Sequence, residues 1–565
     1  MSHVSIQAVA CPVQGRPPTP SEPVVSCEGR VAFVVTTPAG RSVVEIAGID
    51  RAGAASSGDQ HRDERLPRWS PTGGRIASIT ESAAITGAQA ENGSRTSAHL
   101  RICDLSSGDL EPIAIPAGWR VEDLIWIDEN RMVLLVAPDS SDTAVGAGST
   151  RADIGEVRVQ RPDDSRRRLL DLSIADRRCS VRETGTSTIW EIASRSNDRV
   201  VAIVSDDASE SGWYRSRLVR FRADGSEHVL HVPAWQIARP SVSPDGRRVA
   251  FVEGWSSDRG HVAGDARLID LDDGSTTEWS LPGIDVVAYD WIDDASLHFS
   301  GWQGTASVIG IVDDAGSLLS CEQDGQIRRE VARGQGSAVT AAVLHRSGSA
   351  PRVTVRTDDG CWSTADGAFV DGLDDAPAPV TIETIRWASS DGLEIGGLLV
   401  LPEGRPGAEC SPIMMIHGGP ANLWTSAVPF GAVQLAGAGY AVILPNPRGS
   451  VGRGQRFSQA NLGDPAGAEL EDVVAGLRMC RRSGLVGDRP AGVVGGSYGG
   501  YLTSAAAVFT NEFAAAVVMF GHPNLISARF SSNNPAFYDI LLGGHPGGSA
   551  IQRYLDRSPV LHAHP

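Results

Sequence analysis

A serine lies between glycines directly after a short apolar run, in the pattern Gly-x-Ser-x-Gly. Residues 495–500 read Gly-Gly-Ser-Tyr-Gly-Gly. A tight strand-to-helix turn lifts such a serine hydroxyl above a sheet and places it at a helix N-terminus, where the dipole favours developing negative charge. Side chains at Gly495 or Gly499 would clash with neighbouring backbone in this turn. A plain loop in a glycine-rich chain is the alternative, but the strand–turn–helix context predicts that Ser497 is a nucleophile.

A second motif supplies backbone donors. Residues 417–420 read His-Gly-Gly-Pro and follow the apolar run 413–416. In a hydrolase with this serine turn, that loop lends an N–H group to the tetrahedral oxyanion. The predicted donors are the N–H groups of Gly419 and Tyr498. His417 could instead be the general base, but it precedes the serine, whereas the chain order of such triads is Ser, acid, His.

The elements around these motifs alternate between strand and helix from Val380 onward. Short apolar runs precede the motifs, and a helix is predicted from Asp464, with an apolar stripe at Leu470, Val473 and Leu477. Alternating strands and helices imply a largely parallel sheet that is covered on both faces. We therefore predict an α/β-hydrolase domain over residues 380–565.

Residues 20–375 repeat a different theme, in which an apolar strand, a polar turn and a second strand follow one another. Turns near residues 29, 73, 129, 198, 245, 293 and 348 have spacings of 44, 56, 69, 47, 48 and 55 residues. Two hairpins per period of roughly 40–50 residues are typical of four-stranded propeller blades. The sequence predicts a seven-bladed β-propeller over 20–375, joined to the hydrolase domain by a Pro-rich linker at 374–379.

Composition excludes several classes of function. The 565 residues contain 50 Lys+Arg and 68 Asp+Glu, for a net charge of −18, and every basic residue is arginine. Lysine-based catalysis is therefore excluded, and the acidic balance argues against binding to nucleic acid or anionic membranes. The eight cysteines show no metal-ligand spacing, and neither a secretory signal nor a membrane span is visible. We expect a cytoplasmic protein without metal or cofactor, and a homo-oligomer is one option for its assembly.

Together with the two motifs, residues 446–454 (Asn-Pro-Arg-Gly-Ser-Val-Gly-Arg-Gly) resemble the prolyl oligopeptidase family, in particular its acylaminoacyl-peptidase and dipeptidyl-peptidase-like branch. The order of propeller and hydrolase agrees with this resemblance. It implies a serine peptidase that cleaves short or N-acylated peptides, with Ser497 as the acylating nucleophile and the propeller restricting access. A carboxylesterase and a catalytically inactive propeller scaffold remain alternatives.

The base and acid of a triad should follow Ser497. The candidates there are two aspartates and four histidines: Asp539, Asp556, His522, His545, His562 and His564. In the family, the catalytic Asp and His follow the last two strands, and residues 558–563 resemble the Ser-Pro segment that precedes those strands. We therefore expect both catalytic partners to be absent from this chain, a sheet that is incomplete at its C-terminal edge, and impaired activity.

Two alternatives to this expectation stay open. A complementing chain could supply the missing groups, or an Asp556–His562 or Asp539–His564 pair could replace them. An incomplete sheet would also leave the predicted strand at 514–520 with an open edge, which is a template for aggregation.

Overall fold

The described residues form eight separate β-sheets. The computed structural model describes residues 19–36, 42–47, 62–82, 98–109, 112–139, 165–196, 199–222, 224–279, 281–357, 360–365 and 379–564. Seven consecutive antiparallel sheets form a seven-bladed β-propeller, and a six-stranded mixed sheet follows it. The predicted fold class is confirmed. The linker at 374–378 and the predicted turn near residue 198 lie outside the described residues.

The strands of blades 1 to 4 are, in chain order, β1 (Thr19–Val25), β2 (Val31–Thr36), β3 (Ser42–Ile46); β4 (Arg62–Trp69), β5 (Arg75–Ser82), β6 (Ala98–Asp104), β7 (Gly108–Asp109), β8 (Ile113–Ala114); β9 (Trp119–Trp126), β10 (Arg131–Pro138), β11 (Arg168–Ser173), β12 (Arg178–Val181); β13 (Thr188–Ala193), β14 (Val201–Ser205), β15 (Arg217–Phe221) and β16 (Glu227–His231). Blade 4 also carries the short helix α1 (Glu210–Trp213).

The strands of blades 5 to 7 are β17 (Gln236–Val242), β18 (Arg248–Gly254), β19 (Asp265–Asp270), β20 (Thr276–Trp279); β21 (Asp285–Trp291), β22 (Ser296–Gln303), β23 (Ala306–Asp313), β24 (Leu318–Glu322); β25 (Ile327–Arg333), β26 (Thr340–His345), β27 (Arg352–Arg356) and β28 (Trp362–Thr364). The predicted turn at 348 lies between the second and third strands of blade 7, whereas the other described turns join first and second strands. Glycines in both hairpins of this blade, at 336 and 348, made the two turns indistinguishable by sequence.

Burial within a blade follows the position of each strand. The second strands are largely buried, as in β14, whose five residues are all buried. Both faces of such a strand pack against neighbouring blades, so strict alternation is lost. The outermost strands are largely exposed, as in β24. Each blade therefore buries its centre and exposes its rim.

The propeller ring closes through side chains between its first and last blades. First strands contact one another in the order β1, β4, β9, β13, β17, β21, β25 and back to β1. Among the described residues, each blade uses only consecutive strands, so the first and last blades share none. Glu330 of blade 7 accepts the N–H of Glu22 at 2.6 Å, and Glu22 accepts the N–H of Leu66 in blade 2 at 3.0 Å. All three residues have positive φ and lie at β-bulges, which turn their backbone towards the adjacent blade.

The mixed sheet of the second domain has the strand order β29-β30-β32-β31-β33-β34. Its strands are β29 (Val380–Ala388), β30 (Glu394–Pro402), β31 (Pro412–Ile416), β32 (Ala441–Asn446), β33 (Ala491–Gly496) and β34 (Phe513–Met519). The pairs β31–β32, β31–β33 and β33–β34 are parallel, and β29 and β30 form the antiparallel opening pair.

The helices of this domain are α2 (Phe430–Gly437), α3 (Gln455–Ser458), α4 (Ala468–Arg482), α5 (Tyr498–Phe509), α6 (Leu525–Ser531), α7 (Pro535–Leu541) and α8 (Ile551–Asp556). Helix α4 begins at Ala468, so the predicted start at Asp464 is wrong by four residues. Ala466 has φ of +55°, which is incompatible with a helix, and Asp464 instead accepts the N–H of Ala468 at 3.2 Å. No helix among the described residues is both long and apolar enough to cross a membrane.

Candidate active site

Ser497 occupies a strained turn between β33 and α5. Its φ and ψ are 54° and −122°, a region that non-glycine residues rarely adopt. A Cβ on Gly495 would lie 2.3 Å from the Gly499 carbonyl oxygen, and a Cβ on Gly499 would lie 2.3 Å from that of Ile416. The prediction that side chains cannot be tolerated at these two glycines is confirmed. The turn leaves the Ser497 side chain exposed.

The loop at 417–420 lies against this turn. A Cβ on Gly418 would be 3.4 Å from Ser497 Cβ, so the loop backbone passes directly beside the nucleophile candidate. Gly419 follows with φ of +117°, a conformation that favours glycine. Tyr498 is the first residue of α5, where a backbone N–H has no acceptor within the helix. Gly419 and Tyr498, whose N–H groups are predicted to bind an oxyanion, thus line the same cleft as Ser497.

His417 is held away from the role of general base. Its Nε2 lies 3.0 Å from Ser450 Oγ and its Nδ1 lies 2.7 Å from the Gly418 carbonyl oxygen. The side chain is buried, and this desolvation lowers the pKa of His417 to about 4. Both ring nitrogens are therefore engaged by groups other than Ser497, which agrees with the argument from chain order.

The arginine of the third motif, at residues 446–454, anchors its loop. Arg448 is buried and pairs with two carboxylates, Asp472 at 2.8 Å and Asp391 at 2.8 Å. Its side-chain hydrogen bonds to these acids raise the pKa of Arg448 above its ordinary value. Asp472 also accepts the Arg448 backbone N–H at 2.9 Å. The loop at 446–454, which runs from β32 towards the propeller, is fixed by this ion-pair network.

The aspartates and histidines after Ser497 do not form a triad with it. Asp539 pairs with Arg529 at 2.6 Å, and Asp556 accepts from Gln552 at 2.7 Å. His562 bonds the Leu555 carbonyl oxygen at 3.1 Å. Among the described residues, neither an Asp556–His562 nor an Asp539–His564 contact is formed, since the two aspartates bond Gln552 and Arg529 instead.

Two further histidines, His522 and His545, lie in loops. His522 borders the same cleft as Ser497, but its Nδ1 bonds the Tyr538 hydroxyl at 2.8 Å. His545 Nδ1 accepts the N–H of Gly547 at 2.8 Å. Within the part of the chain that the structure describes, no imidazole or carboxylate is hydrogen-bonded to Ser497 Oγ.

Ser497 opens into a cleft of about 150 Å³ between the two domains. The propeller side contributes α1 of blade 4 and the loop at 257–259, and the hydrolase side contributes the segment at 532–538. Aromatic side chains, including Trp213, Tyr214, Phe537 and Tyr538, form much of its wall. A short apolar or aromatic group can be buried here next to the serine.

Charged groups lie at the propeller end of the cleft. Glu210 pairs with Arg167 at 3.2 Å and with Arg259 at 3.3 Å. The guanidinium of Arg167 also lies 4.3 Å from the Trp190 ring centroid. Burial raises the pKa of Asp258. Glu210 is therefore already paired, with two arginines that it shares with Glu122, whereas Asp258 has no ion pair among the described residues.

The two domains are joined by a buried carboxylate at the start of blade 6. Asp285 Oδ2 accepts three successive backbone N–H groups, from Gly452 at 2.6 Å, Arg453 at 3.1 Å and Gly454 at 3.0 Å. Its Oδ1 accepts from Gln455 at 3.1 Å. Gln455 also accepts the N–H of Trp255 in blade 5 at 2.9 Å. The propeller thus holds the end of the motif loop that begins at Asn446.

Sequence reasoning missed the propeller half of the cleft and the Asp285 contact. Glu210, Asp258 and Asp285 belong to no motif, and they meet the hydrolase residues only because the ring closes. A third omission, Glu469, carried a usable signal. It lies four residues before Val473 on the apolar stripe of α4, where an acid is unexpected, and it is buried beneath Tyr498.

Beside the turn at Ser497, the last strand of the sheet is uncovered. The residues of β34 after Phe513 are all exposed, on both faces of the strand, including Val517, Val518 and Met519. In the described residues β34 pairs only with β33, so its other edge is open, as the sequence predicted. The N–H of Ser497 donates to the Met519 carbonyl oxygen at 3.0 Å, which makes this uncovered strand part of the support for the serine.

Sequence comparison relates the second domain to known peptidases. Residues 427–564 match the prolyl oligopeptidase family. The uncharacterized peptidase YuxL of Bacillus subtilis (strain 168) is 34% identical over 183 residues, which cover 32% of this chain and 28% of that protein. Dipeptidyl aminopeptidase BIII of Pseudoxanthomonas mexicana is 32% identical over 196 residues, again covering 32% and 28%. The matched segment thus spans little more than a quarter of these relatives.

Structural comparison extends over both domains. A solved acylaminoacyl peptidase, in complex with Z-Gly-Gly-Phe-chloromethyl ketone, superposes with a TM-score of 0.72 at 17% sequence identity. The match covers 96% of this chain and 84% of that one. At this identity the likeness establishes the fold, a propeller followed by an α/β-hydrolase domain.

Proposed function

We propose that this chain, whose residues 427–564 match the prolyl oligopeptidase family, is a serine hydrolase that cleaves short or N-acylated peptides through an acyl-enzyme on Ser497. The observation that carries the proposal is the turn at Ser497. A serine with φ of 54° stands exposed between a strand and a helix, beside the loop that holds Gly419. This arrangement fits a nucleophile with two oxyanion donors.

The chemistry proposed for these groups is acyl transfer. Ser497 Oγ attacks the scissile carbonyl carbon and loses its proton to a base, and the N–H groups of Gly419 and Tyr498 receive the oxyanion. Collapse of the tetrahedral species expels the leaving amine, which takes up a proton, and water then hydrolyses the acyl-enzyme. We assign the base and the acid to no residue of the described chain, and we therefore propose that turnover by this chain alone is impaired.

The cleft supports a small substrate with a neutral end. Propeller residues form one wall of the cleft at Ser497, so we expect a folded polypeptide to be hindered. Glu210 is already paired with Arg167 and Arg259, so it adds little attraction for a free N-terminal ammonium group. Burial raises the pKa of Asp258, which disfavours the charged form of the other carboxyl at this end of the cleft. We place N-acylated short peptides first among the substrates for this reason. A cytoplasmic location and the homo-oligomer option stay predictions of the sequence.

A fluorophosphonate probe tests the nucleophile. We expect the full chain to be labelled and the Ser497→Ala variant to remain unlabelled. Ser483→Ala is the matched control, because Ser483 caps α4 at the surface, and it should be labelled like the wild type. An unlabelled wild type would show that this chain is not an active serine hydrolase and would favour the inactive propeller scaffold.

A substrate pair separates peptidase from esterase. An acyl-alanine anilide and a short acyl ester present the same acyl group to Ser497 but differ in the leaving group. The ester is intrinsically the easier substrate, so cleavage of the anilide is the informative result. If only the ester is cleaved, the carboxylesterase alternative replaces the peptidase proposal.

A further inference from the structure

A fully buried carboxyl group lies beneath the helix that follows Ser497. Glu469, in the first turn of α4, is 1% exposed. Its Oε1 accepts from the Tyr498 hydroxyl at 2.5 Å and from the N–H of Ala466 at 2.5 Å, and its Oε2 accepts from the Asn461 amide at 2.8 Å. These three partners are uncharged, and a buried carboxyl without a cationic partner is costly to keep.

The hydrogen bond to Tyr498 links this carboxyl to the serine turn. Tyr498 follows Ser497 directly, and its ring is buried against Tyr501, with centroids 5.3 Å apart. Its backbone N–H is one of the two proposed oxyanion donors. The backbone at Ser497 is strained, so the direction of the next N–H depends on what holds Tyr498 in place. The hydroxyl end of Tyr498 is held by Glu469.

The surroundings of Glu469 tolerate a neutral group of the same shape. Burial raises the pKa of Glu469 to about 7, so its neutral form is readily populated. Asn461 Oδ1 has no hydrogen-bond partner and could accept from a donor at position 469 after rotation of the amide. A glutamine can therefore satisfy the same three neighbours, whereas an alanine would leave three buried donors unpaired.

We propose that Glu469 is a positioning residue that fixes the oxyanion-binding N–H of Tyr498, through its hydrogen bond to the Tyr498 hydroxyl. The inference rests on the proposed function of Ser497 and deepens it. It differs from a purely structural role because removal of the Tyr498–Glu469 contact should weaken binding of a tetrahedral anion at Ser497, and not only the stability of the fold.

Binding of phenylboronic acid to the full chain tests this role without requiring turnover. The serine oxygen adds to boron, its proton passes to the buffer, and the boron becomes a tetrahedral anion with an oxygen in the oxyanion position. The dissociation constant can be measured by ¹¹B NMR. Wild type should bind, and Ser497→Ala should not, which tests the proposed function separately.

Three variants then test the positioning role. Tyr498→Phe removes only the hydroxyl and should weaken boronate binding about tenfold, and Glu469→Ala should do the same. Complete loss of an oxyanion donor costs about a hundredfold or more, and a donor that is only misaligned costs less. Glu469→Gln should bind within about threefold of wild type. Ser504→Ala is the control, because it removes a buried hydrogen bond of 3.0 Å on the same helix without touching Glu469, and it should bind like the wild type.

The outcomes separate the two proposals. If Tyr498→Phe binds the boronate as tightly as wild type while its melting temperature falls, Glu469 is merely structural and the inference is overturned. The same conclusion follows if Glu469→Gln loses as much affinity as Glu469→Ala. Should Glu469→Ala fail to fold, Tyr498→Phe and Glu469→Gln still decide. Equal binding by wild type and Ser497→Ala would overturn the proposed function and the inference together.

Discussion

The contact between Asp285 and the loop at 452–454 should control how firmly the two domains are docked. Substitution of Asp285 by asparagine keeps the shape and one acceptor oxygen but removes the charge. A hydrogen bond to a charged group contributes about 1.5–3 kcal/mol, and one between neutral groups about 1 kcal/mol. The difference is about 0.5–2 kcal/mol for each bond, so over the three backbone N–H groups that Asp285 Oδ2 accepts the loss amounts to about 1.5–6 kcal/mol.

Relief of buried charge opposes this loss. Burial raises the pKa of Asp285, which shows that the ionised form is disfavoured by desolvation despite its donors. We therefore expect a net cost of about 1–2 kcal/mol for Asp285→Asn. Asp285→Ala, which leaves four donors without an acceptor, should cost about 4 kcal/mol.

Amide hydrogen exchange measured by mass spectrometry tests this estimate at the loop itself. A cost of 1.4 kcal/mol corresponds to tenfold, so peptides covering 452–454 should exchange about tenfold faster in Asp285→Asn. Asp290→Asn is the matched control, because Asp290 lies on the same strand and accepts the N–H of Arg333 within the propeller. If Asp285→Asn leaves exchange at 452–454 unchanged, or if Asp290→Asn accelerates it equally, the reasoning is refuted.

Three further predictions concern the hydrolase domain. The folded-state pKa of Glu469, about 7, lies above its ordinary value of 4.5. The contribution of Glu469 to the free energy of unfolding is therefore fully present below pH 4.5 and falls by about 3 kcal/mol as pH rises through 7. Urea unfolding at several pH values should show this slope in wild type and lose it in Glu469→Gln. Gly499→Ala should cost at least about 3 kcal/mol in thermal unfolding, because its Cβ would lie 2.3 Å from the Ile416 carbonyl oxygen. Gly437→Ala, with open space around its Cβ, should cost nothing, and equal melting temperatures of the two variants would contradict the packing argument. Val518→Lys on the open strand β34 should reduce aggregation measured by light scattering. Val229→Lys on blade 4 should not, although Val229 is 46% exposed and Val518 is 44% exposed, and equal effects would show that β34 is not the aggregating edge.

The propeller blades and the serine turn could be predicted from the sequence, because short stretches of chain determine them. A propeller blade is an apolar strand, a polar turn and another strand, and each turn carries its own glycine, aspartate or serine. The serine turn is also local, because Gly495 and Gly499 act within five residues of each other. These features depend on backbone geometry that the nearby residues impose.

What could not be predicted depends on residues that are far apart in the chain. Asp285 and Gly452 meet only when blade 6 is in place beside the hydrolase domain. Glu210 reaches the cleft because the ring brings blade 4 to the same side as Ser497. Glu469 was the exception, since an acid on an apolar helical stripe is visible in sequence, although only the structure shows that Tyr498 is its partner.

The serine turn is supported from two sides that differ in strength. On one side, β31 and the loop at 417–420 press against Gly499 in a buried core. On the other side, the Met519 carbonyl oxygen receives the N–H of Ser497, and it also lies 2.7 Å from where a Cβ on Gly500 would be. That carbonyl belongs to β34, a strand with one paired edge and exposed side chains. Because local opening costs least where few apolar contacts are made, we expect β34 to be the weaker of the two supports of Ser497.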